Sequence, residues 1–356
     1  MIQTFLQEEN SMKTLVVDQD GALSIREVSM PSYNDYQALV KTMSCGVCNG
    51  TDGKLIHRSF KGFGLDRYPL MLGHEGVGKV IETGSKVTGL KVGDLVLLPF
   101  TDPLDGIDSG WGAYSEYGVV NDPQSIQANL PADPGLLGCA YAQTVLPADI
   151  DPVDAAMIIT LREVLSSIKR FGIKENDSVV VFGCGPVGLT FIRFMHLLGV
   201  KPIIAFDIKE EKIAEAKELG ADYAFNSMKV NPEEAVKEIF PEGVKFVLDA
   251  VGVTAIINQA MGLICDQGKI CCYGISANQS AEIDWSKAPY NWALQFQQFP
   301  SKMEEYQAHN QVMAWLESGA INLKDFISDI IDFEDIISAF EKVEKREIGK
   351  KCIIRY

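Results

Sequence analysis

The sequence has no surplus of positive charge, no long apolar run and no leader-like start. Its 32 lysine and arginine residues are outnumbered by 48 aspartate and glutamate residues, for a formal net charge of −16. Surfaces that bind a nucleic-acid backbone need clustered cations instead. The most apolar window, residues 179–200, contains Pro186, Arg193 and His196 and is a poor membrane-spanning helix. The first 17 residues lack a basic start, an apolar core and a small-residue cleavage site. We therefore expect a cytoplasmic protein without nucleic-acid or membrane partners.

The cysteines do not form the pattern of a disulfide framework. Eight of them are spread over 356 residues, and two, Cys271 and Cys272, are adjacent. With 47% hydrophobic and 22% charged residues, the composition is that of a globular protein. The length predicts about two domains, which can bury cores without covalent cross-links. Met12 begins the first predicted strand, so residues 1–11 are expected to be either an extension or a misassigned start.

The pattern of apolar residues changes near residue 153. Before residue 120, short runs such as TLVVD, ALVKTM and GVGKVIETG are separated by Gly, Asn and Asp, which predicts a β-rich, barrel-like domain. After residue 153, apolar runs (SVVVFG, PIIAFD, KFVLDAVG, GKICCYG) alternate with amphipathic helices. Buried parallel strands have such continuous runs, and the alternation predicts right-handed βαβ units. The predicted fold class is therefore α/β, with a doubly wound parallel sheet beside a β-rich domain.

A glycine-rich turn follows the first of these apolar runs. Residues 179–188, VVVFGCGPVG, form a predicted strand that leads through GxGxxG into a helix. Gly183 permits the tight turn, Gly185 lets the backbone approach a pyrophosphate, and Gly188 lets the helix pack closely on the strand. The helix N-terminus offers free N–H groups to the phosphates. Asp207 ends the next apolar run, where a carboxylate binds ribose hydroxyls and repels a 2′-phosphate, which favours NAD over NADP.

Other interpretations of this segment stay open. GxGxxG alone also occurs in ordinary glycine-rich turns, and Asp207 can instead cap the helix that follows it. Lys209 and Lys212 are close to Asp207 in the sequence. They reduce the preference for NAD, because a lysine attracts a 2′-phosphate.

Cysteine, histidine and carboxylate residues are concentrated in the β-rich part. CGVCNGTD at residues 45–52 is followed by GHEG at residues 73–76. These are ligand types of a catalytic zinc, which keeps one coordination position for the substrate. Three other interpretations stay open: the CxxC can be a redox pair, His74 a hydrogen-bonded core histidine, and Cys48 a small buried hydrophobic residue.

The GHE run, the spaced glycines and GDLV that follow it, and the later Rossmann-type turn resemble the medium-chain dehydrogenase/reductase family. The most specific stretch is residues 73–96 (GHEGVGKVIETGSKVTGLKVGDLV), and the resemblance extends from about residue 13 to residue 356. The branch it resembles is that of the zinc-dependent alcohol and polyol dehydrogenases. The resemblance implies a GroES-like catalytic domain formed by residues 1–152 and 300–356 and a Rossmann dinucleotide-binding domain at 153–299. It also implies a homodimer or homotetramer joined through the nucleotide domains.

The family's functional residues can be carried over to matching positions. The family has two zinc ligands, a glutamate behind the metal that can also reach it, a carboxylate that supports the site, and a hydroxyl that passes a proton. The matching residues, in that order, are Cys48 and His74, Glu75, Asp52, and Thr51. His57 either continues the proton path to solvent or is an exposed loop histidine. The implied cofactor-binding residues are Gly183, Gly185, Pro186, Val187, Gly188, Asp207, Lys212, Val251, Tyr273, Gly274 and Ile275.

Three features depart from the family pattern. Two residues, rather than the usual one, separate Cys48 from Thr51. Ile159 occupies the position of the third zinc ligand and cannot bind metal. Glu163, one helical turn further on, can reach back toward the metal and is the predicted replacement, unless it is an ordinary solvated helix residue. The four-cysteine lobe of a structural zinc is absent, since LLPFTDPLDGIDSGWGAYSEY contains no cysteine. One catalytic Zn²⁺ per chain and no structural zinc is therefore expected.

The resemblance implies NAD-dependent interconversion of a small alcohol and its ketone or aldehyde, with zinc as a Lewis acid. Lys54, Arg58 and Asp66 favour a hydroxylated substrate such as a polyol or sugar, whereas Trp111 forms either an apolar wall or core. Two alternative functions keep the nucleotide binding but not the zinc-dependent reaction. The first is a zinc-free medium-chain reductase of the quinone or enoyl type, which Ile159 favours. The second is a non-catalytic NAD-binding protein.

Overall fold

The computed structural model describes residues 11–276, 278 and 280–356. The prediction that residues 1–11 precede the first strand falls almost entirely outside these residues; the first described strand begins at Ser11. The strands in chain order are β1 (Ser11–Val17), β2 (Leu23–Ser29), β3 (Gln37–Gly46), β4 (Leu70–Met71), β5 (Gly76–Thr83), β6 (Leu95–Leu97), β7 (Asp108–Ser109), β8 (Tyr117–Asn121), β9 (Val145–Leu146), β10 (Val179–Phe182), β11 (Ile203–Asp207), β12 (Tyr223–Asn226), β13 (Val244–Asp249), β14 (Ile264–Cys272), β15 (Trp292–Phe296), β16 (Ile327–Asp332) and β17 (Lys351–Arg355). The α-helices are α1 (Asp52–Ile56), α2 (Pro123–Asn129), α3 (Pro134–Ala142), α4 (Met157–Phe171), α5 (Pro186–Leu197), α6 (Glu210–Glu218), α7 (Pro232–Ile239), α8 (Thr254–Met261), α9 (Lys302–Glu317) and α10 (Ile336–Glu344).

The chain divides into two compact units. The first contains the residues up to 160 together with 301–309 and 321–356, and the second contains 161–300 and 310–320. The sequence pattern placed the boundaries at 153 and 299. The two parts of α9 fall into different units. In the first part the Tyr306 ring packs on Tyr141 at 5.1 Å, and in the second the Trp315 ring packs on Phe194 at 4.8 Å.

The first unit is built on two sheets. A seven-stranded sheet has the order β16-β17-β3-β5-β6-β9, with β8 also paired to β3, and a four-stranded sheet has the order β2-β1-β4-β7. One edge of β3 pairs with β8 near its start and with β17 near its end. Because β16 and β17 are the last two strands of the chain, this sheet joins the C-terminal end of the chain to strands that begin at β3. A core that includes Leu15, Leu55, Tyr114 and Ile354 lies beneath it.

The second unit is a six-stranded sheet with the order β12-β11-β10-β13-β14-β15. Every neighbouring pair in it is parallel. Numbered within the unit, the order is 3-2-1-4-5-6, the arrangement of a doubly wound dinucleotide-binding sheet. The predicted α/β fold with a Rossmann-type parallel sheet is therefore confirmed.

The two edge strands of this sheet, β12 and β15, are not continuous apolar runs, so the sequence pattern did not identify them. Only Ala224 of β12 is buried, and β15 has no buried residue. An edge strand is shielded less than a central one, so its sequence need not be continuously apolar. Within the described part of the chain, no helix is long and apolar enough to cross a membrane.

Asp122 ties the start of α2 to a neighbouring loop, and we predict that it is a major stabilising residue of the first unit. Its buried carboxylate accepts backbone hydrogen bonds from Thr88 at 2.7 Å, Gly89 at 3.0 Å and Gln124 at 3.1 Å. Burial acts to raise the pKa of Asp122, but the backbone donors outweigh it and hold the pKa below its usual value. The resulting stabilisation is present above the unfolded-state pKa of about 4 and is lost as the pH falls toward the folded-state pKa.

Replacing Asp122 by alanine should therefore lower the free energy of unfolding at pH 7 by about 2–4 kcal/mol. The difference between variant and wild type should shrink below about pH 3.5. Urea unfolding at several pH values measures this. The control is Asp133→Ala, which removes the exposed N-cap of α3 and should cost only about 1 kcal/mol. Equal losses for the two variants, or a difference independent of pH, would contradict the prediction.

Candidate functional site

Three metal-ligand side chains converge in the first unit. Cys48 lies two residues beyond the end of β3, and His74 and Glu75 lie in the segment between β4 and β5. One ligand atom from each of the three lies within 4.8 Å of the others. His74 and Glu75 are buried and Cys48 is half-buried, so the cluster is shielded from bulk water. It is the one such group of three in the described ranges 11–276, 278 and 280–356.

Asp52 supports this cluster from the first turn of α1. Its Oδ1 lies 3.3 Å from His74 Nδ1, and these two buried atoms have no other hydrogen-bond partner in the described structure. Its Oδ2 accepts hydrogen bonds from the Cys48 amide at 3.0 Å and the Tyr114 hydroxyl at 2.7 Å. A carboxylate facing Nδ1 orients the imidazole so that Nε2 is directed toward the other ligands.

The electrostatics of the cluster favour added positive charge. Burial opposes protonation of His74, but Asp52 and Cys48 outweigh it and raise the pKa of His74 well above its ordinary value. Burial and the charge of Asp52 also raise the pKa of Tyr114. The Tyr114 hydroxyl therefore stays protonated and can donate a hydrogen bond to Asp52.

Glu75 is held by two residues that are distant in the sequence. Its Oε2 makes an ion pair with Lys351 at the start of β17 and accepts a hydrogen bond from Thr160 Oγ1 at 3.3 Å. Its other oxygen, Oε1, lies 3.9 Å from His74 Nε2. Glu75 thus has one oxygen in a fixed ion pair and another facing the imidazole.

The donor set fits zinc. A thiolate, an imidazole nitrogen and a carboxylate oxygen are the three ligand types of protein zinc sites, and a catalytic site uses three protein ligands. Asp52 behind His74 supplies the outer carboxylate that such sites commonly have. Because the buried cluster holds more acidic than basic groups, a divalent cation would also compensate its charge.

The glycine-rich turn of the second unit has the geometry of a phosphate-binding loop. Gly183 follows β10 with a φ of +92°, a left-handed conformation that suits glycine. A Cβ on Gly188 would lie 1.8 Å from the Gly183 carbonyl oxygen, so the approach of α5 to the strand requires a glycine there. A Cβ on Gly185 would meet no atom within 4 Å. Helix α5 then begins with Pro186 and Val187 and has no side-chain cap at its N-terminus.

Asp207 lies at the end of β11 beside this turn. Its Oδ2 accepts a hydrogen bond from the Cys184 amide at 2.7 Å, and its Oδ1 accepts one from the Lys209 amide at 3.0 Å. The N-cap residue of α6 is Lys209, not Asp207. Lys212 Nζ makes two hydrogen bonds of 2.9 Å to Glu215, so its charge is largely balanced within its own helix.

The loops after β13 and β14 are packed together. Asp249 Oδ1 accepts hydrogen bonds from the Val251 and Gly252 amides at 2.9 Å, and its carbonyl accepts them from the Tyr273 amide at 3.0 Å and the Gly274 amide at 2.9 Å. These bonds bring Val251, Tyr273 and Gly274 together, with half-buried Ile275 next in the chain. Nothing in the sequence patterns singled out Asp249, although it ends an apolar run in the same way as Asp207.

The remaining predicted site residues are more dispersed. Thr51 is buried next to Asp52. The His57 side chain is 63% exposed, and its Nε2 lies 3.6 Å from Glu344. Glu163 lies on α4 in the second unit and is not part of the Cys48–His74–Glu75 cluster. The roles of Thr51, His57 and Glu163 therefore stay predictions.

Sequence reasoning missed Tyr114, Thr160 and Lys351 as parts of this site. Tyr114 lies in the cysteine-free stretch LLPFTDPLDGIDSGWGAYSEY, which has no metal-ligand motif, and Lys351 lies in a basic stretch, GKK, that looks like ordinary surface. Thr160 follows Ile159, which is buried. A useful signal would have been the buried Glu75 itself, because a buried carboxylate needs a cation or hydrogen-bond donors.

Comparison with known proteins gives consistent results for both units. Residues 34–131 match the family described as alcohol dehydrogenase GroES-like domain, and residues 186–314 match the family described as zinc-binding dehydrogenase. An alcohol dehydrogenase of Geobacillus stearothermophilus is 31% identical over 238 residues, which cover 64% of this chain and 67% of that protein. The L-threonine 3-dehydrogenase of Bacillus velezensis is 25% identical over 365 residues, covering 96% and 99% of the two chains.

Solved structures show the same fold. An alcohol dehydrogenase of Escherichia coli CFT073, solved in complex with NADH, has a TM-score of 0.78 and 23% identity, and the match covers 98% of this chain and 100% of that one. The predicted GroES-like and Rossmann architecture is thereby confirmed. The chain belongs to the zinc-dependent medium-chain alcohol and polyol dehydrogenase family.

Proposed function

We propose that the protein is an NAD(H)-dependent oxidoreductase that interconverts an alcohol and its ketone or aldehyde at one zinc held by Cys48, His74 and Glu75. The observation that carries this proposal is the convergence of these three side chains within 4.8 Å, with Asp52 behind His74. In the oxidation direction, the alcohol carbon gives a hydride to NAD⁺ and its hydroxyl gives a proton to solvent. The products are a carbonyl compound, NADH and H⁺.

Residues of the first unit hold the metal and transfer the substrate proton. Zinc, when bound, supplies a Lewis acid that makes an alcohol hydroxyl easier to deprotonate. Cys48 and His74 would hold the metal, and Asp52 keeps the imidazole in the orientation that presents Nε2. Glu75 would contribute Oε1, while Oε2 stays paired with Lys351. The Thr51 hydroxyl relays the substrate proton, releasing its own proton as it accepts one, and His57, exposed beside Glu344, passes the proton to solvent. Glu163 is the predicted further ligand.

The second unit binds the nucleotide. NAD, when bound, would supply the hydride acceptor, and the backbone of Gly183–Gly188 and the uncapped N-terminus of α5 would hold its pyrophosphate. Asp207 would bind the ribose hydroxyls with the lone pairs that its two backbone hydrogen bonds leave available. Because Lys212 is paired with Glu215 and Lys209 Nζ lies 4.0 Å from Glu211, the attraction of these lysines for a 2′-phosphate is weakened relative to the repulsion from Asp207.

This assignment predicts the result of replacing Asp207 by alanine. The affinity for NAD should fall by about 10- to 100-fold, the equivalent of one or two charge-assisted hydrogen bonds. NADP binding should stay the same or improve, because the repulsion of its phosphate is removed. Isothermal titration with both nucleotides measures this, with Glu218→Ala, an exposed acid on α6, as the charge-matched control. An equal loss for both nucleotides would contradict the ribose role.

The proposal includes a homodimer or homotetramer formed through the second unit. Strand β15 is an edge strand, and Trp285, Tyr290 and Phe296 on or before it are 68%, 104% and 55% exposed. Exposed edges and aromatic patches of this kind favour association. Light scattering should give two or four times the chain mass of 39.1 kDa, and Phe296→Lys should shift it toward a single chain. A wild-type mass of one chain would contradict this part of the proposal.

A substrate panel with and without a chelator tests the function. We expect NADH formation with secondary alcohols or polyols, loss of activity on chelation, and recovery on addition of Zn²⁺. Activity that survives complete removal of the metal would instead support a zinc-free reductase. NAD binding without turnover across the panel, in metal-loaded protein, would indicate a non-catalytic nucleotide-binding protein.

A further inference from the structure

An aromatic cluster lies directly against the candidate metal ligand His74. Trp111, which precedes β8, has its ring centroid 5.4 Å from that of His74. Phe63 packs on Trp111 at 5.7 Å, and Phe60 contacts Phe63 at 5.5 Å and Trp111 at 6.3 Å. All three rings are only half-buried. They therefore retain accessible surface beside the site, although they also pack on the core of the first unit.

The cluster is held in place by interactions that do not involve the core. The Arg67 guanidinium lies 4.3 Å from the centre of the Phe63 ring. The same guanidinium donates two hydrogen bonds to Asp108, of 2.6 and 2.9 Å. An arginine fixed in this bidentate manner braces the ring that it covers.

The backbone of Trp111 is unusual for a bulky residue. Its φ is +71°, in the left-handed region that side chains with a Cβ rarely adopt. Its carbonyl accepts a hydrogen bond of 2.9 Å from the Thr101 amide, which helps to hold this conformation. A strained conformation that orients one side chain is found most often at functional sites. Here the oriented side chain is the indole against His74.

Two of the three polar residues that favoured a polyol, Arg58 and Asp66, are bonded elsewhere or exposed. The Arg58 guanidinium donates to the carbonyl of Gln19 at 2.8 Å, and Asp66 is exposed. Lys54 is half-buried on α1, and burial lowers its pKa. The one ring contact described for His74 is with Trp111.

We propose that Phe60, Phe63 and Trp111 form an apolar wall that selects alcohols carrying an aryl or cycloalkyl substituent on the carbinol carbon over open-chain polyols. This inference rests on the proposed alcohol oxidation at His74. An apolar ring can pack on the indole and phenyl faces and displace water from them. A chain of hydroxyl groups meets mainly ring carbon on such a wall, with the Trp111 indole N–H as the one donor, so most of its polar groups are desolvated at a cost.

The first test compares 1-phenylethanol, 2-propanol and sorbitol as substrates. The wild-type enzyme should have the highest kcat/KM for 1-phenylethanol. Trp111→Ala should lower that value by about 30-fold and the value for 2-propanol by less than about threefold, because the small alcohol does not reach the wall. Trp111→Phe should restore most of the loss. A purely structural role would lower all three values together and would not depend on the substituent.

The second test measures binding without turnover. Saturation-transfer NMR with 1-phenylethanol, in the absence of NAD, should show contact at the aryl protons in wild type, and the signal should be lost in Trp111→Ala. The matched control is Tyr223→Ala, which removes a 40% exposed aromatic side chain of β12, in the second unit and outside the surface proposed for association. Sorbitol preferred over 1-phenylethanol, or aryl contact unchanged in Trp111→Ala, would overturn the proposal while leaving the oxidoreductase function intact. Absence of turnover with every alcohol would instead refute the proposed function, and this inference with it.

Discussion

Cys48→Ala is expected to remove the bound zinc and to lower turnover by roughly a thousandfold or more. The thiolate is the softest of the three ligands, and alanine leaves a neutral methyl group in its place. Affinity for NAD should be nearly unchanged, because the nucleotide residues belong to the second unit. Metal analysis, steady-state kinetics and NAD titration on the same preparation measure the three quantities.

The control for this variant is Cys45→Ala. Cys45 is a fully buried core thiol three positions earlier, and it is not one of the three clustered ligands. Its removal should cost about 1 kcal/mol of stability, as a small core truncation does, without loss of metal. Full zinc content in Cys48→Ala, or equal zinc loss in both variants, would contradict the assignment of Cys48.

Gly188→Ala is expected to have the second large effect. The new methyl group would lie 1.8 Å from the Gly183 carbonyl oxygen, a backbone atom that no rotamer change can move. Helix α5 must therefore shift away from β10, which we expect to destabilise the second unit by about 3 kcal/mol or more. NAD binding should be lost with it, since the same shift moves the phosphate-binding turn. Thermal unfolding and NAD titration measure the two effects.

Gly185→Ala is expected to weaken NAD binding without lowering the stability of the protein. A Cβ at this position meets no atom within 4 Å, and the φ of −67° suits any residue. The free energy of unfolding should change by less than about 0.5 kcal/mol. NAD affinity should nevertheless fall at least about tenfold, because the methyl group would occupy the space of the pyrophosphate. A stable Gly188→Ala variant, or a Gly185→Ala variant that binds NAD normally, would contradict the assigned geometry of the turn.

The nucleotide-binding sheet was predictable from the sequence because its central strands are buried on both faces. Strands β10, β11 and β13 are continuous apolar runs, and the glycine-rich turn follows the first of them. The outer strands β12 and β15 lack this signal because they are partly exposed at the sheet edges. The central strands were predictable because burial on both faces requires apolar residues along them, not because their residues favour strand conformation.

The candidate metal site was predictable only in part. Cys48 and His74 belong to short local motifs, so residue type and spacing identify them. The partners of Glu75 do not belong to local motifs. Lys351 lies on the last strand, and Thr160 lies near the start of α4, next to Ile159. Such contacts depend on the pairing of β17 with β3, and no local pattern specifies that pairing. The same holds for Trp111, whose left-handed backbone conformation cannot be read from its neighbours in the sequence.

X-ray absorption at the zinc edge of the purified protein is the most direct test of the metal centre. We expect about one zinc per chain, with a single sulfur neighbour at about 2.3 Å and nitrogen or oxygen neighbours at about 2.0–2.1 Å. The sulfur neighbour should disappear in Cys48→Ala. A zinc content near zero after growth with added zinc, or a first shell without sulfur, would contradict a metal held by Cys48, His74 and Glu75.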